Sequence, residues 1–138
     1  NLLSKMDPEI NIKLINHLPK DNYINFDYEQ FNRIFFNLIK NSMESIQENS
    51  QKGNKIDKNI DIEIRGRRDY IIINLFDTGI GFKNKNTKDL IKPYFTTKEK
   101  GTGLGLSIVD KIISDHNGSI NFSNHKNGAK IQIIIPKN

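Results

Sequence analysis

Short alternating apolar segments come in pairs along this chain, and two longer stretches of helical period separate the pairs. Glu9–Ile15 reads EINIKLI and puts Ile10, Ile12 and Leu14 on one face of a strand. Tyr23–Phe26 is a short second strand after the Pro19–Asn22 turn. Ile60–Arg65 alternates again, and Tyr70–Phe76 is a more apolar strand joined to it by a hairpin turn at Arg67–Asp69. Ile120–Phe122 and Ala129–Ile135 make a last hairpin around Asn127–Gly128. Between the pairs, Tyr28–Glu48 aligns Phe31, Ile34, Phe35, Leu38, Ser42 and Ile46 on one helical stripe, with Asp27 as N-cap and Gln30 three residues on. Gln47–Asn59 is polar, contains Gly53 and reads as a loop. Leu104–His116 is the second helix, with Leu104, Ile108, Val109, Ile112 and Ile113 on one face, closed by Asn117–Gly118 as a left-handed cap. Strands that come in pairs cannot be wound evenly between helices into a parallel sheet. The order therefore predicts an α+β fold: a two-layer α/β sandwich whose single mixed, mostly antiparallel sheet carries its helices on one face.

The 138 residues suffice for one domain with its own core. Apolar residues at 36% and charged residues at 27% fit a soluble domain, and no apolar run approaches the ~20 residues that span a bilayer. The N-terminus is polar, begins at Asn1 and lacks a signal-peptide pattern, so the chain is expected to be a cytoplasmic piece of a longer protein. There are no cysteines, which excludes disulfides and thiolate metal sites. The net charge is +5, but basic residues are scattered among acids and form no stripe with interleaved aromatics, so no nucleic-acid partner is expected.

Four segments could carry chemistry. On the long helix Asn37 and Asn41 are spaced i,i+4 and Glu44 follows, all on a polar flank beside the apolar stripe. Amide oxygens are hard neutral donors suited to Mg²⁺, although an Asn-rich chain also produces such pairs by chance or for capping. Asp77-Thr78-Gly79-Ile80-Gly81 follows an apolar strand. A carboxylate there accepts from an adenine amino group and repels the guanine carbonyl, and the glycines let a flat base approach; a plain turn explains the same residues. Lys92–Lys98, KPYFTTK, offers Tyr94 and Phe95 as anchors and Thr96, Thr97 and Lys98 as phosphate contacts, or else a hydrophobic latch with a solvated basic rim. Asp77–Gly103 is irregular with one short helical turn near Leu90, and so long a loop points to a functional lid.

The fourth segment is Lys98–Ser107, KEKGTGLGLS, where Gly101, Gly103 and Gly105 alternate just before the second helix. Glycines leading into a helix N-terminus suit an anion. The loop lacks the terminal GK[ST] of a Walker loop, and Ile108 breaks the spacing of dinucleotide and protein-kinase glycine loops.

Taken in order, NLIKNSMES, DTGIGF, PYFTTK and GTGLGLS resemble the N, G1, F and G2 boxes of the ATP-binding catalytic domain of bacterial sensor histidine kinases, within the superfamily shared with gyrase, Hsp90 and MutL. The resemblance runs from about Ile10 to Pro136, and PYFTTKEKGTGLGLSIVDKIISDHNGSI is most similar to the nitrogen-regulation class. It implies the Bergerat ATP-binding fold with an ATP lid, Mg²⁺ and ATP as cofactors, and phosphoryl transfer to a histidine for relay to a response-regulator aspartate. It also implies that Asn41 is the Mg²⁺ ligand with Asn37 as companion, that Asp77 reads the adenine amino group, and that Gly79, Ile80 and Gly81 lie beside the base. Phe95, Thr96, Thr97 and Lys98 would belong to the lid. Lys100, Gly101, Thr102, Gly103, Leu104, Gly105, Leu106 and Ser107 would form its hinge and the loop over the phosphates. Glu44 stands where many relatives have a basic phosphate contact, which passes that role to Lys40, Lys98 or Lys100; Ser42 replaces a common alanine.

None of His17, His116 and His125 has the surroundings of a phosphoacceptor histidine. The resemblance therefore implies that the dimerisation and phosphoacceptor domain lies elsewhere, that the whole protein is a homodimer, anchored in the inner membrane or not, and that this domain binds ATP without autophosphorylating alone. Two relatives within the superfamily compete with this reading. A switch-protein kinase or anti-sigma factor needs a different lid, and a gyrase-type clamp needs a catalytic glutamate for which Glu44, a turn beyond Asn41, is a poor substitute.

Overall fold

The computed structural model describes residues 8–19, 26–53, 57–83, 87–92, 105–126 and 128–137. Its elements run β1 (Asn11–Asn16), α1 (Tyr28–Gln51), β2 (Asn59–Gly66), β3 (Tyr70–Asp77), a 3-10 turn (Thr87–Ile91), α2 (Gly105–Asp115), β4 (Ser119–His125) and β5 (Gly128–Pro136). The five strands form one sheet in the order β1-β2-β3-β5-β4. β1 and β2 are parallel, and the other three pairings are antiparallel. This is the mixed two-layer sandwich that paired strands imply.

Period-2 alternation sets the layers. Ile60 and Ile62 of β2, Ile71, Ile73 and Leu75 of β3, and Ala129, Ile131, Ile133 and Ile135 of β5 are buried. They meet Ile34, Leu38, Met43 and Ile46 of α1 and Val109, Ile112 and Ile113 of α2 in one core. Each such large side chain contributes about 1.5–3 kcal/mol by leaving water. The opposite face bears Asp61, Glu63, Arg65, Asn74 and Gln132, all half-exposed. There Gln132 Nε2 donates to Asn74 Oδ1 at 3.1 Å across the β3–β5 register. The same face also carries Ile72, Phe76 and Ile134, half-exposed, and both helices pack on the other face.

The helices start and stop for local reasons. Asp27 Oδ1 accepts from the N–H groups of Glu29 and Gln30 at 2.9 and 3.1 Å, as its capping position requires. α2 ends in a Schellman arrangement: Asn117 has φ +60°, its N–H donates to Ser114 O, and the Gly118 N–H donates to Ile113 O, both at 2.9 Å. Phe31 and Phe35 are partly buried against the core, while Ser42 is fully buried, its hydroxyl without a protein hydrogen-bond partner among the described residues.

Three expectations change in part. Ile12 and Leu14 share a strand face as expected, in register with Ile60 and Ile62, and are 38% and 62% exposed. Among the described residues β1 is an edge strand with β2 as its one strand neighbour, and only Ile10, just before it, is buried. α1 continues three residues past Glu48 into the segment read as a loop, because Asn49 is buried and bonded to the turn after β3. In the last hairpin Gly128 is not a turn residue: it belongs to β5 and pairs with His125, and Lys126 takes a positive φ of +52°. Asn127, the other expected turn residue, lies outside the described residues. Of the expected strand Tyr23–Phe26, residues 23–25 also lie outside them. Phe26 itself is in no strand and stacks on His116, ring centroids 3.7 Å apart.

Candidate functional site

The polar flank of α1 is longer than its two asparagines suggest. Asn37, Asn41, Ser45 and Asn49 follow at i,i+4 steps, spanning about 18 Å along the helix axis. Its two ends meet different parts of the chain.

At the C-terminal end of the flank lies the turn after β3. Asp77 closes that strand and is only 8% exposed. Its Oδ1 accepts from the Gly79 N–H at 2.9 Å and from the Ala129 N–H at 3.2 Å. Two backbone donors on one oxygen fix the carboxylate plane. The turn is then tied down residue by residue. The Thr78 N–H donates to Asn59 O at 3.2 Å, and the Thr78 hydroxyl accepts from the Asn59 N–H at 3.0 Å. Asn49 Nδ2 donates to Thr78 O and Gly79 O at 3.1 and 3.3 Å, and the Ile80 N–H donates to Ser45 Oγ at 2.9 Å. Beyond it, Asn124 of β4 grips the backbone of Phe82: Oδ1 accepts from the N–H at 2.7 Å and Nδ2 donates to the carbonyl at 3.0 Å.

Backbone contact at this turn leaves no room for side chains. A Cβ on Gly79 would lie 2.1 Å from Ser45 Oγ, and one on Gly128 would lie 1.8 Å from Asp77 O. Gly81 has φ +74°, and a Cβ there would meet Asn124 Oδ1 at 2.8 Å. Lys52, which caps α1, and Lys83 stand at the rim. The hydrogen bond to Lys83, followed by the like charge, pulls the Lys52 ammonium below the ordinary lysine range.

At the other end of the flank, the first turn of α2 abuts the two asparagines. A Cβ on Gly105 would lie 3.2 Å from Asn37 Oδ1 and 3.8 Å from Asn41 Nδ2. Asn37 Nδ2 donates to Arg33 O at 2.8 Å, which turns the Asn37 amide oxygen away from its own helix turn. The carboxamides therefore lie beside a helix N-terminus, whose dipole favours an anion. Among the described residues no cluster of three or more His, Cys, Asp or Glu is placed to hold a metal. The Asn37 and Asn41 amides, next to that anion-favouring terminus, instead fit a hard cation that takes few protein ligands and completes its shell with phosphate oxygens and water.

The structure thus groups Asn37, Asn41 and Gly105 at one end and Asp77, Gly79, Ile80 and Gly81 at the other. Leu106 is partly buried against the core, Ser107 follows in the same turn of α2, Lys40 is exposed on α1 and Glu44 is half-buried beside Ser45. Phe95, Thr96, Thr97, Lys98, Lys100, Gly101, Thr102, Gly103 and Leu104 lie outside the described residues. Sequence reading misses Ser45, Asn49, Asn124 and Gly128. For the first two a signal exists: they continue the Asn37–Asn41 spacing. For Asn124 and Gly128 there is none, since their partners are about 40 and 50 residues away in the chain.

The model of the histidine kinase-, DNA gyrase B-, and HSP90-like ATPase family matches residues 26–138. Sporulation kinase A of Bacillus subtilis (strain 168) is 36% identical over 116 residues, which are 83% of this chain and 18% of that kinase. A putative sensor histidine kinase, NtrY-like, of Rickettsia felis is 35% identical over 108 residues, 78% of this chain and 17% of that protein. The chain therefore spans less than a fifth of the length of either relative. The nucleotide-free catalytic domain of histidine kinase ThkA superposes with a TM-score of 0.79 at 28% identity, covering 99% of this chain and 83% of that one. ThkA in complex with the response regulator TrrA superposes with a TM-score of 0.73 at 25% identity, covering 94% of this chain and 34% of that one.

Proposed function

The chain belongs to the histidine kinase-, DNA gyrase B-, and HSP90-like ATPase family, and we propose that it is the ATP-handling domain of a sensor histidine kinase. In this reading it binds Mg·ATP and presents the γ-phosphoryl group to a histidine on a separate dimerisation domain, for relay to a response-regulator aspartate. The observation that carries the reading is the pairing of two unlike subsites on one flank of α1: a rigid turn with a buried carboxylate, and two amides facing a helix N-terminus.

Asp77 accepts a hydrogen bond from the adenine amino group, and Gly79, Ile80 and Gly81 form the wall beside the base. Asn41 would hold Mg²⁺ through its amide oxygen, with Asn37 as its companion on the same flank, and the ion would supply neutralisation of phosphate charge. The first turn of α2, Gly105–Ser107, aims N–H groups at the phosphates, and Lys40, Lys98 and Lys100 add positive charge there. Phe95, Thr96, Thr97, Gly101, Thr102, Gly103 and Leu104 supply the lid. Positioning and charge neutralisation are what phosphoryl transfer needs from a protein, since little covalent chemistry is left to it. A response regulator as partner is supported by the ThkA–TrrA complex. A homodimeric whole protein, anchored in the bacterial inner membrane or not, completes the proposal; no helix among the described residues is long and apolar enough to cross a membrane.

Calorimetric titration with a non-hydrolysable ATP analogue and Mg²⁺ tests the reading. Saturable binding by the wild type and at least tenfold weaker binding by Asp77→Asn are expected. No binding, or equal binding by the variant, rejects it. Steady ATP hydrolysis by the chain alone would favour a gyrase-type clamp instead.

A further inference from the structure

We propose that Ser45 and Asn49 are positioning residues for base selectivity: they hold the Thr78 and Gly79 carbonyls and the Ile80 N–H towards α1, so that these three groups are withheld from the base that the Asp77 carboxylate reads. The inference rests on the nucleotide-binding reading above and deepens it.

A turn rich in glycine normally exposes several carbonyls and N–H groups, each able to bond a ligand. Here Asn49 Nδ2 takes the carbonyls of Thr78 and Gly79, at 3.1 and 3.3 Å. Ser45 Oγ takes the N–H of Ile80 at 2.9 Å. The Gly79 N–H is spent on Asp77 Oδ1, and that of Thr78 on Asn59 O. Asn49 is 7% exposed, so its amide is committed within the protein and does not compete for ligand. The close packing of Gly79 on Ser45 holds the turn against the helix at this distance.

The consequence follows from the base edges. Adenine offers an amino group where guanine has a carbonyl, and a fixed carboxylate favours the first and repels the second. Guanine also carries N1–H and 2-amino donors. A carbonyl released from Asn49 could accept from them and rescue the wrong base. A site excludes a rival most strongly when its polar groups are either used by the right ligand or withheld from the wrong one. Asn49 and Ser45 do the withholding from the far side of the turn, without touching nucleotide.

The test compares Asn49→Leu, close in size and unable to donate, with Ser45→Ala. For each, Kd is measured in Mg²⁺ for non-hydrolysable analogues of ATP and of GTP, together with the thermal midpoint of the free protein. The expected result is a fall of about tenfold or more in the ATP-over-GTP preference of Asn49→Leu, and a smaller fall in Ser45→Ala, carried mainly by tighter GTP-analogue binding. Equal weakening for both nucleotides, with the preference unchanged, would mean the residues only stabilise the fold, and overturns the inference while leaving ATP binding intact. A wild type that binds neither analogue overturns the parent reading, and this one with it. If Asn49→Leu does not fold, the preference of Ser45→Ala decides: an unchanged ratio there overturns the proposal.

Discussion

Gly128 shows how far a single atom matters here. It opens β5 at the point where that strand crosses the end of β3, and a methyl group on it would sit 1.8 Å from Asp77 O. That neighbour is backbone and cannot swing aside. Gly128→Ala is therefore expected to push the two strands apart, break the Ala129 N–H bond to Asp77 Oδ1 and cost about 2 kcal/mol or more in stability, read from urea unfolding. Because the displaced bond orients the carboxylate, ATP-analogue affinity should fall further than in an equally destabilised core variant such as Ile71→Ala. Equal affinities in the two variants would contradict this account of Asp77.

Within elements, stability comes from the ends and from side-chain pairs along each face. Asp27 satisfies two backbone donors at the start of α1. Asp27→Ala should cost about 1 kcal/mol, measured as a lower denaturation midpoint with an unchanged urea slope. On β2, Glu63 and Arg65 lie two residues apart on the sheet face away from the helices and form an ion pair. The hydrogen bond from Arg65, helped by its charge, holds the Glu63 carboxyl below its ordinary range. A depressed carboxylate contributes stability above its unfolded pKa of about 4.3 and loses it as pH falls through the folded value. Glu63→Gln should therefore be less stable than wild type at neutral pH, with the gap closing in acid. The pair faces solvent, so the gap should be small and shrink further in high salt. A gap that widens in acid would reverse the assignment.

For the whole molecule, binding and folding are linked. Ligand that binds only the folded chain adds about 2.7 kcal/mol at a hundred times its Kd, which for a domain of this size raises the unfolding temperature by roughly 10 °C. Mg·ATP analogue should produce that shift in calorimetry, the metal-free analogue a smaller one, and Asp77→Asn no more than about half of it. The two subsites sit on different supports. The Asp77–Gly81 end is bonded to β2, β4, β5 and α1 together, whereas the Asn37–Asn41 end is made by contact between two helices. Nucleotide should therefore slow amide exchange more in the first turn of α2 than in Thr78–Ile80, whose N–H groups are already bonded.

Much of this architecture is legible in the order of residues along the chain. The stripe of Ile34, Leu38 and Ile46, the alternation in β2, β3 and β5, and the caps Asp27 and Asn117 are local patterns, and local patterns survive in a one-dimensional string. The same holds for the segments around Asn37, Asn41 and Asp77, whose order along the chain announces the family. Leu14 is different, because alternation reports a strand's two faces and not whether a helix covers either one. The end of α1 is hidden because Gln47–Gln51 is polar, and only the bond from Asn49 to the turn some 30 residues on explains why it stays helical. Gly128 has the composition of a turn residue; its place is set by a backbone passing beside it. The chain's order thus dictates which elements form and what their side chains can do. The clamp that aims Asp77 is decided by contacts between distant segments, because hydrogen bonds and close packing act on distance in space and not on distance along the chain.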